Sequence, residues 1–358
     1  MKEQLASADI RVIVSELSEK IVGARIDKVF QTGHCEIILR LFGSGRQELV
    51  AAPNFMCLTR YRRPAPKDPS SFSMQLRKHL KGKPIESIVQ PGFERIVEIG
   101  FKDRTLVFEL FSKGNVFLLS KDRSILGLIN WQKWRDRTLG VGKQYEYPPP
   151  KADPFKASRE DMDEALMREG KTLAAVLATE FSLGGAYAER VAHLAGIDPV
   201  SAATDADGDK VWEALKTLLA IMEGEPSPKS NEETVEPYPD FPGGVAYDSF
   251  NEAVDEFFSK KQVMNASLQA EKSTDERKKN LEGRLDAQKN ALAEAELTIT
   301  EEKMRGDLLY QRMGEVQAII DRIHELRASG LSDERICVML KDEGIFIDLK
   351  KFELKLDL

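Results

Sequence analysis

Cysteine is scarce in this 358-residue sequence, and Cys35, Cys57 and Cys337 lie far apart. No CxxC spacing for metal or redox chemistry exists, and an odd count argues against a disulfide framework. A reducing, cytoplasmic setting is the expectation. Long apolar runs are also missing. No stretch of 18 apolar residues occurs, so no transmembrane helix and no membrane role are expected. Glu3 and Asp9 interrupt the N-terminal segment where a signal peptide would need an apolar centre. The four histidines, His34, His79, His193 and His324, have no ligand partner at metal-binding spacing. Neither a P-loop, nor a dinucleotide-binding glycine pattern, nor a GxSxG elbow is present. The reading from these absences is a protein with no metal, no cofactor and no enzymatic signature, although side chains distant in sequence can still assemble a site.

What is present is the composition of a folded chain. Hydrophobic residues make up 42% and charged residues 31%, which suits two or three domains with at least one buried core. The net charge of −7 conceals a segregation. Residues 1–150 carry 25 lysines and arginines against 16 carboxylates, and the remainder carries 27 against 43, giving +9 and −16. A basic first domain on an acidic body fits a polyanionic partner, though charge asymmetry alone is common.

Periodicity divides the chain further. Residues 5–23 read as an amphipathic helix closed by Gly23. Strand patterns follow at 24–32, 36–42 and 47–52, then a helix at 70–81, then strands at 84–90, 96–101, 105–110, 116–119 and 125–129. Helix, strands, helix, strands within about 150 residues predicts an α+β domain on antiparallel sheet. Pro148, Pro149 and Pro150 end it as a stiff connector. Residues 151–225 read as a helical domain. Its segment 181–199 has the pattern of a helix-hairpin-helix, with Leu183-Gly184-Gly185 as the hairpin. Hairpin amides at a helix start can hold a phosphate, and a Gly-Gly pair is equally plain punctuation. Residues 226–249 are rich in proline and read as a linker or return segment with a short strand near 234–238.

Residues 250–329 carry a 3.5-residue seam. It runs Leu281, Leu285, Gln288, Leu292, Ala295 and Ile299, passes Glu302 and Gly306, and resumes at Leu309, Met313, Val316, Ile320 and Ile323. That spacing predicts a long coiled coil, imperfect where Gln288 and Glu302 enter the seam, with a helical bundle as the other reading. Residues 330–358 read as a short helix and strands that begin a further domain. No second long heptad follows, so the expectation is a fragment whose returning helix lies elsewhere, or a coiled coil that pairs with a second copy.

Three polar segments stand out in the basic domain. Arg77 and Lys78 sit on the second helix, Glu94 and Arg95 enter a strand after a turn, and Lys113, Gly114 and Asn115 occupy a hairpin. Arginine and lysine donors near glycines suit phosphate contacts. Taken singly, each segment also reads as ordinary structure: a solvated helix face, a local ion pair, a turn.

Taken in order, the segments resemble a known family. Asp9 in the first helix, Tyr61-Arg62-Arg63-Pro64, the run 72–80, Gln90-Pro91-Gly92-Phe93-Glu94-Arg95, the run 109–116 and the run 142–150 resemble the N-terminal domain of the NFACT family of ribosome-quality-control factors. Leu183-Gly184-Gly185-Ala186-Tyr187-Ala188-Glu189 looks like that family's helix-hairpin-helix segment, and the coiled coil follows where the family has one. The resemblance implies a fold similar to the N-terminal region of formamidopyrimidine-type DNA glycosylases. It also implies binding to an obstructed large ribosomal subunit that still holds peptidyl-tRNA. Charged tRNA, alanyl-tRNA for an alanine-rich tail, would be recruited for template-free extension of the nascent chain. Peptide transfer would belong to the ribosome, so the resemblance implies no catalytic residue and no cofactor. The family's tRNA-recruiting residues are an Asp in the first helix and an Asp-Arg pair before a strand. Asp9 and Arg95 match, whereas position 94 is Glu, which keeps the charge and lengthens the reach. The expected tRNA face is therefore Asp9, Glu94 and Arg95, with Arg77, Lys78, Lys113 and Asn115 nearby.

Two other readings remain open at this point. One is a DNA-processing protein on a glycosylase-like scaffold, although Lys2 stands where those enzymes place a proline nucleophile. The other is an adhesion or scaffold protein that uses the acidic coiled coil.

Overall fold

The computed structural model describes residues 2–349, 351 and 353–355, apart from 44, 67, 135 and 136. The chain forms two compact units, Met1–Ser267 and Leu268–Leu358.

The first unit opens with helix α1 (Ser7–Ile21), whose Ile10, Ile13, Leu17 and Ile21 are fully buried at helical spacing. Strands β1 (Arg25–Thr32), β2 (Glu36–Phe42), β3 (Arg46–Ala52) and β4 (Phe55–Thr59) form an antiparallel meander in that order. The five-residue β4 carries no clear alternation and escapes the sequence reading. It is fixed by packing, with Phe55 stacked on Phe258 at 5.1 Å. Helix α2 (Ser71–Leu80) starts where the Ser70 hydroxyl accepts from the Ser73 amide at 3.1 Å. A second antiparallel meander follows, of β5 (Ser87–Val89), β6 (Ile96–Phe101), β7 (Arg104–Glu109), β8 (Asn115–Ser120) and β9 (Ile125–Leu128). The two helices join the sheets, since α1 packs on β4 and β5 and α2 on β1 and β9. The domain is thus α+β, as expected.

Both faces of the second sheet are covered, which explains the near-continuous apolar run Val116-Phe117-Leu118-Leu119 in an antiparallel strand. Val116 and Leu118 enter the main core, while Phe117 and Leu119 join a smaller cluster with Ile96, Val107 and Tyr145. The short hairpin β10 (Gln132–Lys133) and β11 (Thr138–Leu139) leads into the proline segment. That segment is clamped to the sheet. Arg137 meets buried Glu109 at 2.7 and 3.2 Å, Tyr145 donates to Glu109 at 2.9 Å, and Tyr147 donates to Glu98 at 2.6 Å.

Four helices follow: α3 (Arg159–Leu166), α4 (Leu173–Glu180), α5 (Gly185–Leu194) and α6 (Gly208–Glu223). Side-chain caps from Ser158, Thr172 and Asp207 start α3, α4 and α6. Residues 226–249 hold a small sheet of β12 (Lys229–Ser230), β13 (Val235–Glu236) and β14 (Val245–Ala246), with β12 in the middle. The chain then returns to the N-terminal module through α7 (Phe250–Val254), which packs on β4 and α1. One core cluster runs from Leu5 to Phe258, so all these segments share a common interior.

A π-helical turn at Asp255–Ser259 leads into the 52-residue helix α8 (Lys260–Gln311). The sequence pattern carries its heptads straight through position 312. The structure instead ends α8 there, and α9 (Met313–Ala328) restarts after Arg312, whose φ of −99° and ψ of 16° leave the helical region. Gly314, two residues on, weakens helix preference at that point. Seam residues Leu281, Leu285, Leu292 and Ile299 are exposed along this chain, whereas Ile323 is buried. Ile323 and Leu326 pack on Ile336 and Leu340 of α10 (Asp333–Asp342), beside the hairpin β15 (Phe346–Asp348) and β16 (Glu353–Lys355). Among the described residues no helix is long and apolar enough to cross a membrane.

Candidate nucleic-acid interface

A cleft of about 940 Å³ opens in the first unit. Segments far apart in sequence meet there: 2–7, Glu94-Arg95, Phe111-Ser112, Pro148, Ser182, Gly184–Ala186 and 233–236.

Asp9 lies beneath it and is fully buried. One carboxylate oxygen accepts from the Ala6 amide at 2.7 Å and pairs with the Lys2 ammonium at 2.7 Å; the other accepts from the Tyr187 hydroxyl at 2.8 Å. Position 9 is the third residue of α1, so the carboxylate satisfies an orphan amide at the helix start. Burial and the neighbouring Asp9 charge push the Tyr187 phenol well above its ordinary pKa. Asp9 therefore supports the cleft from below, holding the start of α1 against α5.

Glu94 reaches the hairpin, where its Oε1 accepts from the Ser182 hydroxyl at 2.9 Å. Gln90 braces the same turn by donating to the Glu94 carbonyl at 2.7 Å and the Ser7 carbonyl at 2.9 Å. Arg95 is half-buried, and among the described residues its guanidinium makes no hydrogen bond or ion pair. Burial lowers its pKa, and the Glu94 charge opposes that shift. A partly desolvated cation without a partner, at the wall of a cleft, is an anion acceptor by chemistry.

The hairpin contributes backbone donors. Gly184 caps α5 with a φ of 75°, and a Cβ there would stand 3.3 Å from that of Ala6. With no capping side chain, the Gly185 and Ala186 amides find no acceptor among the described residues, and both residues line the cleft at a helix N-terminus. Ser112 and Ser182, both lining the cleft, hold left-handed φ values of 56° and 53°. Left-handed backbone at non-glycine residues concentrates where function over-determines a conformation.

The charge of the cleft differs from that of the domain. Lys2, Arg95 and Lys151 are outnumbered by Glu3, Glu94, Glu189, Glu233 and Glu236. Glu236 is raised in pKa, first by burial and also by the Asp9 charge, against the pull of Lys2. Among the described residues, the cleft thus offers one guanidinium and two amides without partners, and several acceptors.

The expected residues separate into two groups. Asp9, Glu94 and Arg95 converge on the cleft. Lys113 is exposed, next in sequence to the cleft residue Ser112. Arg77 does not reach it: its Nε donates to the Val29 carbonyl at 2.7 Å and its guanidinium lies over Phe30, which ties α2 to β1. Lys78 is exposed on the same helix. Asn115 is 1% exposed and serves as a staple, donating to the Asn130 carbonyl at 2.8 Å and accepting from the Asn130 amide at 3.1 Å. Ser182, Glu233 and Glu236 were not singled out from the sequence, and Lys2 and Tyr187 were named but not as part of this site. Only the Gly184–Tyr187 run carried a signal.

Residues 7–327 match the family model for the NFACT N-terminal and middle domains. The chain belongs to the NFACT family. The archaeal Rqc2 homolog aRqcH of Methanocaldococcus jannaschii is 28% identical over 91% of this chain and 53% of its own length. The human ribosome quality control complex subunit NEMF is 23% identical over 93% of this chain and 35% of its own. The Rqc2 homolog RqcH of Bacillus subtilis is 29% identical over 51% and 36%. The chain thus spans about half the length of the archaeal relative and about a third of the others. Two solved structures share the fold, each 23% identical with a TM-score of 0.57. The fibrinogen binding protein from Staphylococcus aureus covers 71% of this chain at 98% of its own, and the N-terminal part of the fibronectin/fibrinogen-binding protein from Streptococcus suis covers 72% at 100%. This NFACT chain is therefore a homologue of the Rqc2, NEMF and RqcH proteins.

Proposed function

We propose that this chain is the tRNA-handling portion of a ribosome-associated quality-control factor. It engages a large ribosomal subunit obstructed by peptidyl-tRNA and positions a charged tRNA, alanyl-tRNA by the family resemblance, for template-free extension of the nascent chain. The bond-forming chemistry is left to the ribosome, so the protein works by positioning and uses no catalytic residue of its own.

One observation carries the reading: the Arg95 guanidinium, with no partner among the described residues, lies in the same cleft as Glu94 and the amides of the Gly185 helix start, which likewise find none there. A single-stranded stretch of RNA suits that mixture. Its phosphate would take Arg95 and the amides, and its base donors would meet carboxylates such as Glu94. The homology to ribosome quality control subunits supports the ribosomal setting.

The test uses the full-length protein, with ribosome co-sedimentation and tRNA crosslinking measured side by side. Arg95→Ala is expected to lower tRNA recovery at least tenfold and to leave ribosome sedimentation in place. Unchanged tRNA recovery would remove the cleft from this role.

A further inference from the structure

A second recess of the first unit shares no residue with the cleft and has the opposite charge. It measures about 440 Å³ and, among the described residues, is lined by Arg40, Arg46, Arg60, Arg62 and Arg63 together with Glu48 and Thr59. The register of the first sheet builds its floor. Arg40 pairs with Glu48 across β2–β3, and Glu48 pairs with Thr59 across β3–β4, so the three form one cross-strand row. Alternation sends Leu39, Leu41 and Leu49 into the core and leaves this row on the outer face.

The rim is the loop after β4, and it is held firmly. The Arg60 amide donates to buried Asp255 at 2.8 Å, and the Tyr61 hydroxyl donates to Glu256. Arg63 pairs through Nε with Glu36 at 3.1 Å and donates through Nη2 to Gln262 at 2.8 Å. Its side chain is only 6% exposed, and its Nη1 is buried with no acceptor. A buried guanidinium nitrogen without an acceptor is an exception that calls for one. Arg46 and Arg62 are exposed and, among the described residues, make no ion pair. Arg40 is committed to Glu48 and Arg60 lies 3.5 Å from Glu252, which leaves the exposed Arg46 and Arg62 to meet an anion.

We propose that this recess is a second RNA-binding site, which takes phosphodiester groups of an RNA backbone while the acidic cleft takes another part of the same molecule. Guanidinium forks match phosphate oxygens in bidentate geometry, and every cation of the recess is arginine. A loop fixed before binding loses little freedom when the ligand arrives. That the phosphate belongs to RNA rests on the function proposed above; that the recess takes an anion does not.

The experiment is fluorescence anisotropy of labelled tRNA with the full chain, over a series of potassium chloride concentrations. Arg46→Gln with Arg62→Gln is expected to weaken binding about fivefold to tenfold, and to reduce the slope of log Kd against log salt by about 1 to 2, as for one or two lost phosphate contacts. An unchanged melting temperature verifies the fold. Wild-type affinity and slope in the double variant, with Arg95→Gln still impaired, would overturn this site alone. Absence of tRNA binding by the unaltered chain would overturn both proposals. Inorganic phosphate binding that the double variant loses, with tRNA affinity and slope intact, would assign the recess to a small anion and reject RNA. Competition by poly-glutamate as strong as that by polyuridine would assign it to an acidic protein and equally reject RNA.

Discussion

The Tyr187 hydroxyl donates to the Asp9 carboxylate at 2.8 Å, and both residues are buried although 178 positions separate them. This contact joins the start of α1 to α5, and those two helix starts border the cleft. Tyr187→Phe keeps the ring and removes the donor. Asp9 retains the Ala6 amide and Lys2, so the expected loss is about 1–2 kcal/mol of unfolding free energy in urea. Asp9→Ala removes the acceptor of all three donors and leaves the Lys2 ammonium, 8% exposed, without its carboxylate. It should cost about 3–5 kcal/mol. Equal losses for the two variants would show that the phenol alone accounts for the site's stability.

Glu94 and Ser182 test the reach of position 94. The resemblance places Asp in the family where this chain has Glu, and here the longer side chain meets the Ser182 hydroxyl at 2.9 Å. Glu94→Asp shortens the arm by one methylene and should break that bond. An equilibrium loss of about 0.5–1.5 kcal/mol is expected, matched by Ser182→Ala. The double variant should lose no more than either single one. Additive losses would mean that the two side chains act independently.

Much of the first unit is legible in the sequence because its apolar residues recur at clean intervals, 3.6 in α1 and 2 in β6. Strand β4 is not, since five residues with little alternation acquire strand geometry only from pairing with β3. Of the site, Asp9, Glu94 and Arg95 are readable through family resemblance and not through spacing. Glu233 and Glu236 lie in a segment that reads as a proline-rich linker or return segment, but nothing local announces that its Glu233 carbonyl meets the Lys2 amide and its carboxylates line the cleft. Asn115 shows the reverse. A polar residue in a basic hairpin suggested a ligand contact, and its amide is occupied with the backbone of Asn130. The arginine recess stayed hidden because its residues are scattered from 40 to 63, and only the strand register puts Arg40, Glu48 and Thr59 in one row.

The clamp on the proline segment should respond unevenly to substitution. Glu109 is 2% exposed as a side chain and Arg137 7%, so removing one charge strands the other away from water. Glu109→Ala should destabilise by about 3–5 kcal/mol. Replacing Glu109 by Leu, Arg137 by Met and Tyr145 by Phe together removes the three side-chain partners, leaving only the Glu146 carbonyl that accepted from Arg137 at 3.0 Å, and should recover most of that loss. Denaturant midpoints of the two variants provide the measurement. A triple variant as unstable as Glu109→Ala would show that the pair contributes net stability beyond mutual compensation.

Tyr147 gives the chain an alkaline signature. Burial, with its hydrogen bond to Glu98 next, pushes its phenol up to about 12 from an ordinary value of 10. The folded state therefore favours the neutral phenol more than the unfolded state does. The resulting stability is fully present below pH 10 and is lost as the pH rises through about 12. Tyr147→Phe has no proton to lose, so its stability should fall less steeply between pH 10 and 12 than that of the unaltered chain. Thermal midpoints across that window, with phenolate absorbance followed on the same samples, measure both quantities. Parallel pH profiles for the two proteins would show that Glu98 does not hold the proton on Tyr147, and that Arg123, whose guanidinium lies 5.0 Å from the Tyr147 ring centre, dominates the tyrosine's environment instead.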